Sequence, residues 1–317
     1  MTGLFRKGAR VLALLLLGFL VSRPVVGTAE QVIRFGVLPV VDTLPLFVGQ
    51  DRGFFKERGI RLDIIPFQSA LERDAALQAG KLDGYFGDIL NTLLLIRSQE
   101  ALGIITTAFH THPDYRMFAL VSSPKSEIRH LSGLKEKHVA LSRATVIEYL
   151  LDRLLGARDL TSDFVKKLEI KKMAIRVQML LADQVPAALL PEPLVTLAES
   201  KGAHVLLDDR VLDTALTVLA LTRKTVALHK DVVPEFLGAY EKAVAVINRD
   251  PESCRDILLA KTSFPPVIRD QYPIPRFPAV GLPAPDDLES VQTWLIQNGL
   301  VDKRLPYEQV VLRARCP

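Results

Sequence analysis

The chain has 317 residues, which is enough for two ordinary domains or one large one. Apolar residues make up 49% of the sequence and charged residues 24%, which excludes a disordered or fibrous protein. The formal charge of +4 comes entirely from the first 29 residues, because removing their four basic residues from the total of 40 leaves 36 against 36 acidic ones. The charge balance therefore gives no support for a nucleic-acid-binding surface.

The amino-terminal segment has the three parts of a secretory signal peptide. Basic residues at positions 6, 7 and 10 precede an apolar run over residues 11–21, which is shorter than the roughly 20 residues of a membrane span. Small residues at Gly27 and Ala29 predict cleavage after Ala29, which leaves an exported, soluble mature protein of 288 residues (317 minus 29). The alternative is an uncleaved membrane anchor.

The cysteines and histidines predict no metal site. Cys254 and Cys316 lie near the carboxyl end, and export to an oxidising compartment permits a disulfide between them. The alternative is two separate thiols. His110 and His112 alternate on a predicted strand end and therefore face opposite ways, and no other Cys or His spacing is typical of metal ligands.

From residue 32 onward, short runs rich in β-branched residues alternate with helical stretches, which predicts α/β units on mostly parallel sheets. A helix begins near Pro45, a capping box at Ser69 starts a second helix that ends at Gly80, and a third helix runs from Asp88 through Gln99. The predicted strands in this part of the chain span residues 32–38, 61–67, 84–86, 102–109 and 117–122.

A polar break at residues 123–126 indicates a crossing into a second α/β block. A capping box at Thr145 starts a helix through Leu155, and another helix opens at residues 191–193 and ends at Gly202. The predicted strands of this block span residues 139–141, 185–190 and 203–207, and residues 216–222 form the crossing back. Further helices are predicted over residues 231–249, around Cys254 and over residues 286–298.

This organisation predicts two lobes. Residues 30–122 and 223–317 form a discontinuous first lobe, and residues 123–222 form an inserted second lobe. The carboxyl ends of strands and the amino termini of helices then surround a shared cleft, where ligands of open α/β sheets bind. Two crossings between the lobes also permit closure around a ligand.

Motifs spread along the mature chain match the pattern of one family. They are G-F-F and G-I between Gly53 and Ile60, A-L-Q-A-G-K-L-D from Ala76, L-P-E-P from Leu190, and Trp294 in the last predicted helix. With them the chain resembles the periplasmic solute-binding proteins of ABC importers, of the nitrate, sulfonate and thiamine-precursor type. The resemblance implies the two-lobe, type II periplasmic binding protein fold and a monomer that binds a small molecule. It also implies an ABC permease in the inner membrane as partner, with no cofactor, no catalytic residue and no nucleic acid.

The resemblance and the strand-to-helix turns point to the same candidate ligand-binding residues. Several have a structural alternative, because Ser69, Thr145 and Asp88 can each cap a helix. The carboxylate of Glu192 interacts favourably with the dipole at a helix amino terminus, so its position needs no ligand to explain it. The positive charge of Arg143 opposes the dipole at a helix start, so its position favours an anionic partner. The candidates are Asp42, Thr43, Leu44, Phe67, Ser69, Asp88 and Phe109 in the first lobe, and Ser142, Arg143, Thr145 and Glu192 in the second.

Charge in the candidate site indicates a class of ligand. The acidic candidates suit a donor-rich ligand such as an aminopyrimidine thiamine precursor, whereas Arg143 and the helix amino termini suit a sulfonate or carboxylate. A heteroaromatic ring could stack on Phe67 or Phe109. We therefore predict a zwitterionic or amine-bearing heterocycle over a bare inorganic anion. We also expect Asp88 or Glu192 to meet Arg143 or the ligand when the lobes close.

Motifs of common enzyme classes are absent from the sequence, which has no glycine-rich phosphate loop, no G-x-S-x-G elbow and no paired-histidine zinc motif. A pyrimidine-making synthase and menaquinone-pathway lyases share the implied fold. The synthase uses a cysteine-rich motif with a histidine. The lyases act in the cytoplasm, which conflicts with the predicted signal peptide. A binding module that reports to a membrane sensor fits the sequence as well as one that serves a permease.

Overall fold

The structure is a computed structural model that describes residues 30–98 and 101–313 of the chain. The predicted signal peptide, residues 1–29, and Cys316 lie outside the described residues. Cleavage after Ala29 and a disulfide between Cys254 and Cys316 therefore stay predictions. Cys254 itself is buried.

The described residues form two sheets of five strands each. The strands are β1 (Gln31–Val37), β2 (Ile60–Pro66), β3 (Gly84–Asp88), β4 (Leu102–His110), β5 (Phe118–Ser122), β6 (His138–Leu141), β7 (Lys166–Glu169), β8 (Ala187–Pro191), β9 (His204–Asp208) and β10 (Ala215–Thr222). The first sheet has the order β2-β1-β3-β10-β4, and the second has the order β7-β6-β8-β5-β9. The two sheets thus repeat one arrangement.

Helices connect and cover the strands. They are α1 (Leu44–Asp51), α2 (Ala70–Gln78), α3 (Ile89–Arg97), α4 (Val146–Gly156), α5 (Met173–Leu181), α6 (Leu194–Ser200), α7 (Arg223–Leu228), α8 (Val232–Arg249), α9 (Arg255–Lys261), α10 (Pro285–Gln297) and α11 (Tyr307–Val310). The alternation of strands and helices confirms the α/β prediction.

One strand in each sheet runs against the other four. β10 is antiparallel to β3 and β4, and β5 is antiparallel to β8 and β9, whereas the other neighbouring strands are parallel. The sheets are therefore mixed, although four strands of each share one direction. Those four strands end at the same edge of their sheet.

Two strands belong to a different sheet from the one predicted. Residues 117–122 are predicted in the first lobe and residues 216–222 in the second, but β5 lies in the second sheet and β10 in the first. The polar segment 123–126 is a turn, closed by a hydrogen bond from the Ser126 N–H to the Ser123 carbonyl (3.1 Å), and not a crossing. The chain changes sheets between β4 and β5 and again between β9 and β10.

We propose that the lobe boundaries lie in these two crossings. Lobe 1 is then the first sheet with the helices packed on it, and lobe 2 is the second sheet with its helices. Aromatic packing joins the elements of lobe 1, where the Phe236 ring of α8 lies 5.3 Å from the Phe35 ring of β1 and 5.1 Å from the Phe55 ring. No helix within residues 30–98 and 101–313 has both the length and the apolar composition of a bilayer-spanning segment.

Candidate functional site

A cavity lies between the lobes at the edge where the parallel strands end. The space between its lining residues, including solvent at the open mouth, is about 610 Å³. Lobe 1 lines it with Leu38, Val40, Asp42, Ser69, Ala70, Arg73, Phe86, Gly87, Asp88 and Thr217. Lobe 2 lines it with Phe118, Ser142, Thr145, Val146, Ile147, Lys171, Met173, Arg176 and Pro191.

The cavity brings together five of the eleven residues proposed from the sequence. Asp42, Ser69 and Asp88 come from lobe 1, and Ser142 and Thr145 from lobe 2. All five lie at or just after the carboxyl end of a strand that runs toward the cavity. Their contact with a ligand stays a prediction.

Asp88 ends β3 and caps α3. Its Oδ1 accepts the Asn91 N–H at 2.7 Å, and the side chain is almost fully buried. Burial raises the pKa of Asp88 to about 6, although the Asn91 N–H, the Arg73 guanidinium and the Val146 N–H favour the charged form. Val146 is the first residue of α4 in lobe 2, so the carboxylate of Asp88 faces helix amino termini from both lobes.

Asp42 lies in a short turn after β1 and is also buried. Its Oδ2 accepts the hydroxyl hydrogen of Thr217 from β10 at 2.9 Å. Burial raises the pKa of Asp42 to about 6, and the Thr217 hydrogen bond opposes the rise. Within the described residues no cationic side chain lies within 4 Å of its carboxylate oxygens.

Ser69 and Thr145 begin the helices that flank the cavity. The Ser69 hydroxyl accepts the Glu72 N–H at 3.3 Å. The Thr145 hydroxyl accepts the Ile147 N–H at 3.2 Å and donates to the Ser142 carbonyl at 2.8 Å. Both predicted helix caps are confirmed, so these hydroxyls have a structural role whether or not they also contact a ligand.

Four of the proposed residues in lobe 1 lie outside the cavity lining. The Thr43 hydroxyl donates to the Val40 carbonyl at 2.6 Å and stabilises the turn after β1. Leu44 and Phe109 are fully buried in the hydrophobic core, and Phe67 packs against a smaller cluster under α2 and β3. The aromatic rings at the cavity are instead those of Phe86 and Phe118.

Arg143 and Glu192, proposed in lobe 2, also lie outside the lining. Arg143 is exposed, and its Nη2 donates to the Lys167 carbonyl at 3.2 Å. Glu192 is buried and accepts hydrogen bonds from Arg116 Nε (2.8 Å) and the Thr196 N–H (3.0 Å). Burial raises the pKa of Glu192, and Arg116 opposes the rise. The ionic partner of Glu192 is therefore Arg116. That Asp88 or Glu192 meets Arg143 or the ligand when the lobes close stays a prediction.

Two buried arginines of the lining were not proposed from the sequence. Arg73 is the fourth residue of α2, and Arg176 is the fourth residue of α5; each is 1% exposed. Arg73 Nη1 donates to the Phe86 carbonyl at 2.7 Å, and Arg176 Nη1 donates to the Leu189 carbonyl at 3.3 Å. These carbonyls belong to the third residues of β3 and β8, so the two arginines occupy equivalent positions in the two lobes.

The lining carries hydrogen-bonding and charged groups. Over the described residues, no three His, Cys, Asp or Glu side chains converge on a point where they could hold one metal ion. The described part of the chain also places no His or Cys side chain in the lining. Such a site can hold a polar small molecule through hydrogen bonds and charge.

Comparison with known proteins gives a family match and a set of similar folds. The family model described as NMT1/THI5 like matches residues 41–254 of the chain. No curated protein matches the chain in sequence.

Similar solved structures include two binding proteins. The ligand-binding component of an ABC-type import system from Staphylococcus aureus, with zinc bound, is 19% identical with a TM-score of 0.75, over 90% of this chain and 97% of that chain. The alkanesulfonate-binding protein SsuA from Xanthomonas axonopodis pv. citri, bound to MOPS, is 18% identical with a TM-score of 0.76, over 89% and 98% of the two chains.

An enzyme is also among the similar structures. The desulfurization enzyme DSZB is 15% identical with a TM-score of 0.63, over 89% of this chain and 96% of that chain. At such identities the likeness concerns the fold alone. It confirms the two-lobe periplasmic binding protein fold predicted from the sequence.

Proposed function

Because the chain belongs to the NMT1/THI5-like family, we propose that it is a periplasmic solute-binding protein that delivers a small organic or oxyanionic solute to an ABC permease in the inner membrane. The observation that carries this proposal is the cavity between the lobes, to which both sheets contribute through their strand ends. The similarity to binding proteins of import systems supports it.

The cavity has one wall from each lobe, which suggests how a ligand closes the protein. A ligand that contacts both walls makes more contacts in the closed arrangement than in the open one, so it shifts the population toward the closed form. Polar groups of both walls face the same space, with Asp42 and Asp88 on one side and Ser142 and Thr145 on the other. The permease then recognises the closed, loaded form, and no covalent step is needed.

The lining supports the ligand classes named from the sequence. Phe86 and Phe118 come from opposite lobes and offer apolar surfaces to a flat ring, as in an aminopyrimidine thiamine precursor. The amino termini of α2 and α4 border the same space and suit a sulfonate or carboxylate.

Likeness to a desulfurization enzyme supports a second candidate, an enzyme on the same fold. The titratable groups of the lining include two buried carboxyls, Asp42 and Asp88, that could take part in such chemistry. Mass spectrometry separates the candidates, because a binding protein returns its bound compound unchanged after prolonged incubation. A product of different mass, lost in Asp88→Asn, would favour the enzyme.

Small-angle scattering tests the proposed function. The compound that co-purifies with exported protein is first identified by mass spectrometry and then removed by unfolding and refolding. We expect its re-addition to reduce the radius of gyration as the lobes close. Binding without any change in the scattering curve would contradict the mechanism.

Amino-terminal sequencing of the same exported sample tests the location. We expect the mature chain to begin at Glu30. A chain that still begins at Met1 would contradict the signal peptide. A permease and an ATPase encoded beside the protein would favour transport over a sensor.

A further inference from the structure

The two walls of the cavity carry opposite charges. Lobe 1 contributes the carboxylates of Asp42 and Asp88, and lobe 2 contributes Arg176 and Lys171. Arg73, the remaining charged residue of the lobe 1 wall, is neutralised by Asp74, whose Oδ1 lies 2.6 Å from Arg73 Nη2. The net charge of the lobe 1 wall is therefore negative, and that of the lobe 2 wall is positive.

Arg176 is a buried cation in the lobe 2 wall that bonds only to backbone carbonyls among the described residues. Its Nε and Nη2 donate to the Ile170 carbonyl (3.1 and 2.8 Å), and its Nη1 donates to the Leu189 carbonyl. Within the described residues, no carboxylate forms an ion pair with this guanidinium. Three of its five N–H groups are used, and two are left for another acceptor.

Comparison with Arg73 shows what Arg176 lacks. The two side chains sit at equivalent positions and are equally buried, but Arg73 has the carboxylate of Asp74 beside it. A buried charge without a counter-charge is costly, and burial alone lowers the pKa of Arg176 to about 10. Lys171 adds a second positive charge at the same wall, with only a loose contact of 3.8 Å to the exposed Glu169.

Building on the proposed binding function, we propose that the ligand carries both a cationic nitrogen and an anionic group. Its nitrogen lies against Asp42 and Asp88 of lobe 1, and its anionic group lies against Arg176 and Lys171 of lobe 2. A ligand with both charges compensates both walls at once. A ligand with a single charge leaves the opposite wall uncompensated, so it stabilises the closed form less.

The test uses three probes of matched shape. 4-(Aminomethyl)benzoate carries both charges, 4-methylbenzoate only the negative one and 4-methylbenzylamine only the positive one. Each has a single ring that suits the apolar surfaces of Phe86 and Phe118. Isothermal titration calorimetry on the refolded mature protein should give an affinity for the doubly charged probe at least about tenfold above that for either singly charged probe.

Variants assign each charge to its wall. We expect Arg176→Gln and Lys171→Gln to weaken 4-(aminomethyl)benzoate and 4-methylbenzoate several-fold without weakening 4-methylbenzylamine. Asp42→Asn and Asp88→Asn should show the reverse pattern. Because Lys171 is exposed, we expect Lys171→Gln to fold. This variant therefore still tests the positive charge of the lobe 2 wall if Arg176→Gln fails to fold.

Arg255→Gln is the matched control. Arg255 is a mostly buried arginine outside the cavity, and its Nη1 also donates to backbone carbonyls, those of Arg269 (2.7 Å) and Tyr272 (3.0 Å). We expect this variant to lose stability but to keep the order of the three affinities. An equal loss for all three probes in Arg176→Gln and Lys171→Gln would mean that these residues act only on structure, which overturns the proposal.

The outcomes also separate this proposal from the proposed function. Equal binding and equal lobe closure by a singly charged probe would overturn the two-charge ligand and leave the binding protein intact. A co-purified compound that lacks either charge would do the same. An enzyme that converts the co-purified compound would instead contradict the proposed function.

Discussion

At the scale of single residues, Asp42 links stability to pH. Burial raises its pKa from 3.8 to about 6, so the native state holds the proton more tightly than the unfolded chain does. Its contribution to stability is therefore fully present below about pH 4 and is lost as the pH rises through about 6. Asparagine keeps an oxygen for the Thr217 hydroxyl and does not titrate in this range. We expect Asp42→Asn to be more stable than wild type at pH 7.5. Between pH 4 and pH 7.5, the difference in the free energy of unfolding between the variant and wild type should shift in favour of the variant by on the order of 2 kcal/mol.

Urea unfolding at the two pH values measures this difference, and Asp83→Asn is a control with the opposite sign. Burial favours the neutral form of Asp83, but hydrogen bonds from Arg34 (2.8 and 2.9 Å) outweigh it and lower its pKa. Its contribution to stability is present above its unfolded pKa and is lost as the pH falls. Asp83→Asn should therefore lower the free energy of unfolding more at pH 7.5 than at low pH. A pH-independent difference for Asp42→Asn would contradict the raised pKa.

Glu192 and Arg143 should differ sharply in their effect on stability. Glu192→Ala removes the buried partner of Arg116 and an acceptor for the Thr196 N–H, so we expect a loss of about 3 kcal/mol in the free energy of unfolding. Arg143→Ala removes one exposed hydrogen bond, so we expect a change within about 0.5 kcal/mol. Thermal unfolding of both variants checks this order, and similar losses would contradict it.

The same pair tests the ligand contacts predicted from the sequence. A folded Arg143→Ala that binds the co-purified compound tenfold more weakly in calorimetry would support a direct contact. Glu192→Gln, which keeps the shape of the side chain, serves the same purpose at the other position.

The sequence predicts some site residues better than others, for physical reasons. Asp42 and Asp88 follow or end a strand, and the position of a turn is encoded by nearby residues. Whether an aromatic side chain faces a cavity depends on tertiary packing, and this is why Phe109 lies in the core although it ends a predicted strand. Arg176 was missed because its helix was not predicted.

At the scale of elements, the unpredicted pieces of lobe 2 are β7 and α5, and those of lobe 1 are the short helices α7 and α11. β7 is a four-residue strand of sequence K-K-L-E whose residues are exposed or half-buried at the edge of the second sheet, so it lacks the apolar run of a central strand. α5 begins after Lys172, which makes no side-chain capping bond. By contrast, α2 and α4 were predicted, and Ser69 and Thr145 do cap them. The partners of β5 and β10 could not be predicted, because a strand that is buried on both faces carries no mark of the sheet to which it belongs.

A link between α4 and α10 joins the two lobes on another side. The indole Nε1 of Trp294 in α10 donates to Asp152 Oδ2 in α4 at 2.8 Å, and the hydroxyls of Tyr149 and Ser290 lie 2.9 Å apart. α10 packs on α3 of lobe 1, whereas α4 belongs to lobe 2. This link stabilises the arrangement of the two lobes that the structure describes, and we propose that this arrangement is the closed one.

We expect Trp294→Phe to loosen that arrangement, because the ring remains but the hydrogen bond to Asp152 is lost. The radius of gyration of the ligand-free protein should rise, and binding of the co-purified compound should weaken a few-fold as the closed form becomes less populated. Thr293→Ala is the control, since this hydroxyl donates within its own helix, to the Glu289 carbonyl. Unchanged scattering in Trp294→Phe would contradict a role for the link in closure.

At the scale of the whole molecule, two lobes of one design differ in charge. Both sheets have the same strand order, and both lobes place an arginine at the same position beside the cavity. Over the residues that the structure describes, only the arginine of lobe 1 is accompanied by a carboxylate. A repeated scaffold therefore supplies symmetric walls, and a few side chains make the walls chemically different.

The position of β10 also leads us to expect an order in which the two lobes fold. β10 separates β3 from β4, so the first sheet stays incomplete until residues 215–222 have been synthesised. The strands of the second sheet all lie between residues 118 and 208, without interruption by the other lobe. Because pairing over long sequence distances slows folding, we expect lobe 2 to form first. In pulsed hydrogen exchange during refolding of the mature chain, amides of β8 should gain protection before those of β4, and simultaneous protection would contradict this order.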